Sequence, residues 1–96
     1  MKSKYLLVAS IEGNLEKVKR LVFEWNADVN VQNRYGDTPL HWAVCKGHLD
    51  VIKFLLENGA DVEAKNKAKE TPMCWAAWSG NTEAVKLFKN NLKLTL

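Results

Sequence analysis

A stretch of this chain repeats itself. Thr38-Pro39-Leu40-His41-Trp42-Ala43 returns 33 residues later as Thr71-Pro72-Met73-Cys74-Trp75-Ala76. Gly47-His48-Leu49 returns at the same shift as Gly80-Asn81-Thr82, and Gly13-Asn14-Leu15 lies 34 residues before Gly47. A period in the low thirties specifies a stack of small, near-identical units, each sealing the flank of the next. Such a stack has no central pocket around which catalysis is usually built. It points to recognition of another macromolecule.

The unit reads most clearly in the middle of the chain. Residues 33–37, Asn-Arg-Tyr-Gly-Asp, have the composition of a turn around a glycine. Thr38 suits a helix N-cap, with Pro39 at the first helical position, where its missing N–H costs nothing. A helix over 39–46 ends at Gly47. A second helix over 49–58 carries Val51, Ile52, Leu55 and Leu56 at helical spacing. Gly59 stops it, and Ala60-Asp61-Val62 leads into the next turn. The third unit repeats this plan, with a turn over 66–70, Thr71-Pro72 opening a helix that Gly80 ends, and Thr82 capping the last helix. The first unit lacks its turn. It starts with a helix over 4–12 capped by Ser3, followed by a helix over 15–25. Asn26-Ala27-Asp28-Val29 then echoes Gly59-Ala60-Asp61-Val62, with one extra residue before it. The expected organisation is one domain over 1–96, with units at 3–32, 33–65 and 66–92 and a short tail, 93–96. Each helix pair has too little apolar surface to fold alone, and three is near the lower limit for such a stack.

Composition narrows the class further. Apolar residues make up 47% and charged residues 26%, which excludes a disordered chain. The formal net charge of +3 is too diffuse to argue for nucleic acid, which asks for a clustered stripe. Two cysteines, Cys45 and Cys74, are too few for a disulfide framework and read as reduced thiols. The apolar run near the start, residues 5–9, is too short for a membrane span or a secretory leader, and Glu12 and Glu16 follow it at once. The expected compartment is the cytoplasm or nucleus.

These residues resemble the ankyrin repeat. Gly36, Thr38, Pro39, Leu40, His41 and Ala43 meet the first half of that family's pattern. Gly47, His48, Leu49, Val51, Leu55, Leu56, Gly59, Ala60, Asp61 and Val62 meet the second. The resemblance implies an all-α solenoid of three stacked helix–turn–helix units with projecting β-hairpin-like turns. It implies a non-enzymatic module that binds a partner protein through a concave face of turn tips and first helices. It implies no cofactor and no metal. Transferred from the family pattern, the concave positions are Gln32, Arg34, Tyr35, Asp37, Cys45 and Lys46 in the second unit. In the third they are Lys65, Lys67, Ala68, Glu70, Trp78 and Ser79, and in the first Ile11 and Glu12. The partner-binding set drawn from these is Arg34, Tyr35, Asp37, Cys45, Lys46, Lys67, Glu70, Trp78 and Ser79. Tyr35 and Trp78 are the expected anchors, because large aromatics at exposed positions are the usual centres of interfaces.

Departures from the pattern carry expectations too. Lys69 replaces the turn glycine of the third unit, so that turn should be strained or differently shaped. Cys74 replaces the histidine and removes the hydrogen bonds that His41 should make to its own turn. Leu92, Leu94 and Leu96 end the chain, either covering the last helix pair or leaving an apolar end exposed. Trp42 and Trp75 occupy one slot in successive units and should stack against neighbouring units in the core. Trp25 has no reading. Lys65, Lys67 and Lys69 alternate along one turn arm, which is either a solubilising edge or a docking edge for an acidic partner surface or nucleic acid. His41 and Cys45 share a helix side, as half of a metal site or a Cys–His nucleophile pair would, yet no further ligand with zinc spacing accompanies them. No phosphate loop, dinucleotide fingerprint, nucleophile elbow or HExxH motif is present. The runner-up to a monomeric protein-binding module is a structural protein that self-associates through its stack ends and leucine-rich tail.

Overall fold

A computed structural model describes residues 2–93, with side chains described to residue 90. Six helices follow one another: α1 (Lys2–Glu12), α2 (Leu15–Phe23), α3 (Pro39–Lys46), α4 (Leu49–Glu57), α5 (Pro72–Trp78) and α6 (Thr82–Lys93). Among the described residues there is no strand. The first helices α1, α3 and α5 pack side by side in one row, and α2, α4 and α6 form a second row behind them. The turns over 33–37 and 66–70 project from the front row. This is the stacked all-α architecture expected from the repeat.

Local chemistry starts and stops each helix. Thr38 sits in the extended region and its hydroxyl accepts the His41 N–H. Thr71 does the same for Cys74. Two of the outer helices, α2 and α6, are capped from the position before their first residue, whereas His48 before α4 makes no side-chain cap. Asn14 Oδ1 accepts the Lys17 N–H, and Asn81 Oδ1 accepts the Ala84 N–H. Asn81 is therefore the cap of α6, and Thr82, expected there, is its first helical residue. Ser3 likewise lies inside α1, which begins one residue before it.

The front row packs closely because its shared slot is small. Ala9, Ala43 and Ala76 occupy equivalent positions and are wholly buried. Leu6, Leu40, Val18, Val51, Ile52, Leu55 and Phe88 fill the space between the rows. Each fully buried aliphatic side chain of this size contributes about 1.5–3 kcal/mol. The middle outer helix α4 buries Val51, Ile52, Phe54 and Leu55, whereas α2 buries Val18 and Leu21. The difference follows from position: α4 has a neighbour on each side, α2 on one.

Polar joints fix the register between units. His41 Nε2–H donates to the Glu70 carbonyl at 2.9 Å, and His48 Nε2–H donates to the Ile11 carbonyl at 3.0 Å. Asn81 occupies the slot of His48 and reaches the Val44 carbonyl at 3.5 Å. The close approach at the His48–Ile11 joint explains Gly13, where a Cβ would lie 2.5 Å from the His48 ring. The extra residue of the first unit is absorbed after α2. The Ala27 N–H closes back onto Leu21, six residues before, whereas Ala60 closes onto Leu55, five before. Asn26 takes φ 54° in the place of Gly59, and Trp25 is turned out to 60% exposure.

Candidate functional site

Each turn is organised by one asparagine. Asn33 Oδ1 accepts the N–H groups of Tyr35 and Asp37, and Asn66 Oδ1 accepts those of Ala68 and Glu70. Successive turns are then tied together. The Lys67 N–H donates to the Tyr35 carbonyl, and Asn66 Nδ2 donates to Asp37 Oδ1 at 3.0 Å. Gly36 is buried at φ +82°, and a Cβ there would lie 2.9 Å from the Lys67 nitrogen. Lys69 adopts φ 63° in the equivalent place. The third turn therefore keeps the shape of the second, at the cost of holding a lysine in the left-handed region. No described turn stacks on its far side, so the Lys69 side chain is free to stand outward.

The concave positions divide into three groups. Cys45, Glu70, Trp78 and Ser79 come together around a shallow depression of about 450 Å³. Trp78 is 68% exposed. Trp42 and Trp75 complete the lining and meet edge to face, ring centroids 5.4 Å apart. Both were expected in the core. They do stack against each other across adjacent units, but they are half-buried and their remaining surface forms the wall of the depression. The spacing held the clue. Trp75 and Trp78 lie three apart on one helix, so an exposed Trp78 draws Trp75 to the same face. Ser79 is at the rim, with its hydroxyl already committed to the Trp75 carbonyl at 2.6 Å.

Arg34 and Tyr35 belong to a different surface. They line a recess of about 340 Å³ with Lys4, Leu7 and Gln32, on the flank of the second turn that faces the first unit. No described turn covers that flank. The Arg34 guanidinium lies 5.5 Å from the Tyr35 ring centre, over its face. The two expected anchors, Tyr35 and Trp78, therefore do not share a recess.

Asp37 departs from expectation. It is 5% exposed, and its carboxylate accepts from Asn66 and Asn33. It is a joint between turns and is not available to a partner. Lys46 and Lys67 are exposed, as are Lys65 and Lys69, and none of the four forms an ion pair among the described residues. Ile11 is half-buried and Glu12 exposed.

Glu70 is the best-anchored charge at the depression. Its Oε1 accepts from Asn66 Nδ2 at 2.8 Å and from Trp75 Nε1 at 3.0 Å. The Asn66 bond first, and then the Trp75 bond, hold its carboxyl below the usual carboxylate range. The slot of His41 behaves differently in the two units. In the second unit Nδ1 accepts the Thr38 N–H while Nε2–H reaches the next turn. Burial pushes the His41 pKa down, which suits an acceptor nitrogen facing an N–H. In the third unit Cys74 Sγ accepts the Thr71 hydroxyl at 3.3 Å, and that bond pulls the thiol pKa down. Cys74 thus keeps a local bond to its cap where the loss of the histidine alone would predict none. His41 and Cys45 do not converge, since one is buried and the other exposed. Both cysteines are free thiols, and the described residues contain no group of side chains arranged to hold a metal ion. No described helix is long and apolar enough to cross a membrane. The leucine-rich tail lies outside the described side chains.

A model of ankyrin repeats in three copies matches residues 6–95. The chain is 42% identical over 52 residues to human (Homo sapiens) apoptosis-stimulating of p53 protein 2, covering 54% of this chain and 4% of that protein. It is 41% identical over 52 residues to alpha-latrocrustotoxin-Lt1a of Latrodectus tredecimguttatus, again 54% of this chain and 4% of the other. It is 43% identical over 49 residues to human ankyrin repeat domain-containing protein 7, covering 51% of this chain and 19% of that one. In each case the chain spans less than a fifth of the relative's length. Repeats of this type are generally protein–protein interaction modules and typically not catalytic. With helix pairs stacked in register and the repeat pattern running through almost its whole length, the chain belongs to the ankyrin-repeat family.

Proposed function

We propose that this chain binds a partner protein through its concave face, and that the tryptophan-lined depression between the second and third units is the anchoring point. One observation carries the reading. Trp78 stands two-thirds exposed beside two further tryptophans whose outer faces are bare. A large aromatic open to solvent beside other aromatics buries a large area on binding. Cys45 and Ser79 border it, while Lys46 and Lys67 form a polar rim. Arg34 and Tyr35 form a second, weaker contact on the neighbouring recess. The module works as a monomer, in the cytoplasm or nucleus, without cofactor or nucleic acid.

The test is affinity capture from the source cells, followed by calorimetry with the purified partner. Trp78→Ala should weaken the partner by about 2 kcal/mol or more, with unchanged far-UV circular dichroism. Tyr35→Ala alone should cost less. A partner bound equally well by the Trp78→Ala variant removes the depression from the interface.

The rival reading is self-association, and one feature favours it. Tyr5 and Trp25, both more than half exposed, border a recess of about 690 Å³ on the open flank of the first unit. Head-to-tail stacking is disfavoured, because the Lys69 Cβ stands where a further turn would lie. Pairing would join two first-unit flanks. Sedimentation equilibrium decides: a monomer at high micromolar concentration excludes this reading.

A further inference from the structure

We infer that the depression between the second and third units takes an arginine side chain of the partner, stacked on the tryptophan faces and bonded to the Glu70 carboxylate. The inference rests on the concave-face reading above and names the chemistry that face selects. Three indoles line the depression, and an indole presents its negative face to a cation. Glu70 is the charged residue in the lining. Its Oε1 is pinned to the wall by Asn66 and Trp75, while Oε2 has no hydrogen-bond partner among the described residues. A carboxylate so held keeps acceptor sites open on a fixed framework. The same two bonds lower its pKa further below the neutral range, where a glutamate is already ionised.

The surroundings sharpen the choice. The chain carries a net charge of +3, with Lys46 and Lys67 at the rim, so the Glu70 carboxylate within the lining is a single negative charge set in a basic surround. An aliphatic or phenyl anchor would cover the indoles but strip water from Glu70 without a partner for its charge. A lysine ammonium is a compact, strongly hydrated point charge. A guanidinium is planar, weakly hydrated, stacks on aromatic faces and bonds a carboxylate through a fork of donors. A shallow, open depression with one carboxylate at its wall matches that shape.

The experiment uses the chain labelled with nitrogen-15 and follows its four indole N–H signals. It is titrated with N-acetyl-arginine methylamide, with the neutral isostere N-acetyl-citrulline methylamide, and with N-acetyl-lysine methylamide. The arginine compound should move the Trp75 and Trp78 signals and leave Trp25, on the far flank, in place. Citrulline and lysine compounds should bind at least about fivefold more weakly. Glu70→Gln keeps an oxygen for Asn66 and Trp75 but removes the charge, so it should erase the difference between arginine and citrulline. Equal binding of arginine and citrulline, equal binding of arginine and lysine, or a preference that survives Glu70→Gln overturns the inference. Failure of the parent reading looks different: partner affinity would then be indifferent to Trp78→Ala. Partner loss in Trp78→Ala together with no arginine preference sinks the inference alone.

Discussion

Replacing His41 by the residue its own repeat uses one unit later separates local from inter-unit stabilisation. The His41 side chain is fully buried and makes four interactions, one of them a bond from the Thr38 hydroxyl to Nδ1 at 2.9 Å. Nδ1 accepts the Thr38 N–H at 3.0 Å, Nε2–H donates to the Glu70 carbonyl at 2.9 Å, and the ring meets Trp75 with centroids 5.0 Å apart. In His41→Cys the sulfur can still take a bond from the Thr38 hydroxyl, as Cys74 does from Thr71. It cannot reach the next turn. The Glu70 carbonyl and the Thr38 N–H lose their partner, at about 1–3 kcal/mol. Loss of the ring contact adds about 0.5–1.5 kcal/mol. We expect a total near 3 kcal/mol, a large share of the roughly 5–15 kcal/mol that holds a domain of this size. In urea, with a slope of about 1.5 kcal/mol per molar, the midpoint should fall by about 2 M. The mirror swap, Cys74→His, should change stability by less than about 1 kcal/mol, because no described turn lies beyond it to accept the Nε2–H. A His41→Cys loss below about 1 kcal/mol, or two swaps of equal size, would refute the claim that this histidine acts mainly between units.

Two further outcomes follow from the same joints. Burial lowers the His41 pKa below its ordinary 6.5, so below that pH the unfolded chain binds the proton more readily than the folded one. Stability from this residue is complete above about pH 6.5 and is lost as pH falls further, by at most about 1.4 kcal/mol per unit. Urea midpoints at pH 7.5 and 5.5 should therefore drop more in wild type than in His41→Cys, and equal drops would contradict the assignment. At the turns, Gly36→Ala forces a Cβ to 2.9 Å from the Lys67 nitrogen at φ +82° and should cost more than about 2 kcal/mol. Lys69→Gly relieves a left-handed lysine and should gain up to about 1 kcal/mol after the added chain entropy of glycine. Thermal melts check both, at roughly 4–8 °C per kcal/mol.

The helices were legible because their punctuation is local. Thr38-Pro39 and Thr71-Pro72 name their own helix starts, and the predicted span 39–46 is the one observed. The errors at Ser3 and Thr82 have separate causes. Both residues are good caps, but a neighbouring residue reached the free N–H groups in the case of Asn81, and α1 simply began earlier. Contacts that cross units were not legible. Asp37 has the composition of a solvated turn residue, and only the stacking of Asn66 upon it makes it buried. His48 carries the family pattern without announcing that its ring reaches back to Ile11. Lys69 was correctly singled out as an anomaly, since a non-glycine at that slot has a backbone cost that needs no neighbour to be recognised.

Trp42 and Trp75 show why core and site are not exclusive categories in a stack this thin. The front row is one helix deep, so any side chain that bridges adjacent first helices from the concave side has a covered face and a bare one. Their mutual contact at 5.4 Å fixes both rings through the packing that joins the second unit to the third. The depression therefore has its shape only when those two units are in register, and His41 and Asn66 set that register from either side of Glu70. Recognition at this face is thus coupled to inter-unit stability: a change at His41, which touches no exposed surface, should loosen the wall on which Trp78 and Glu70 are mounted.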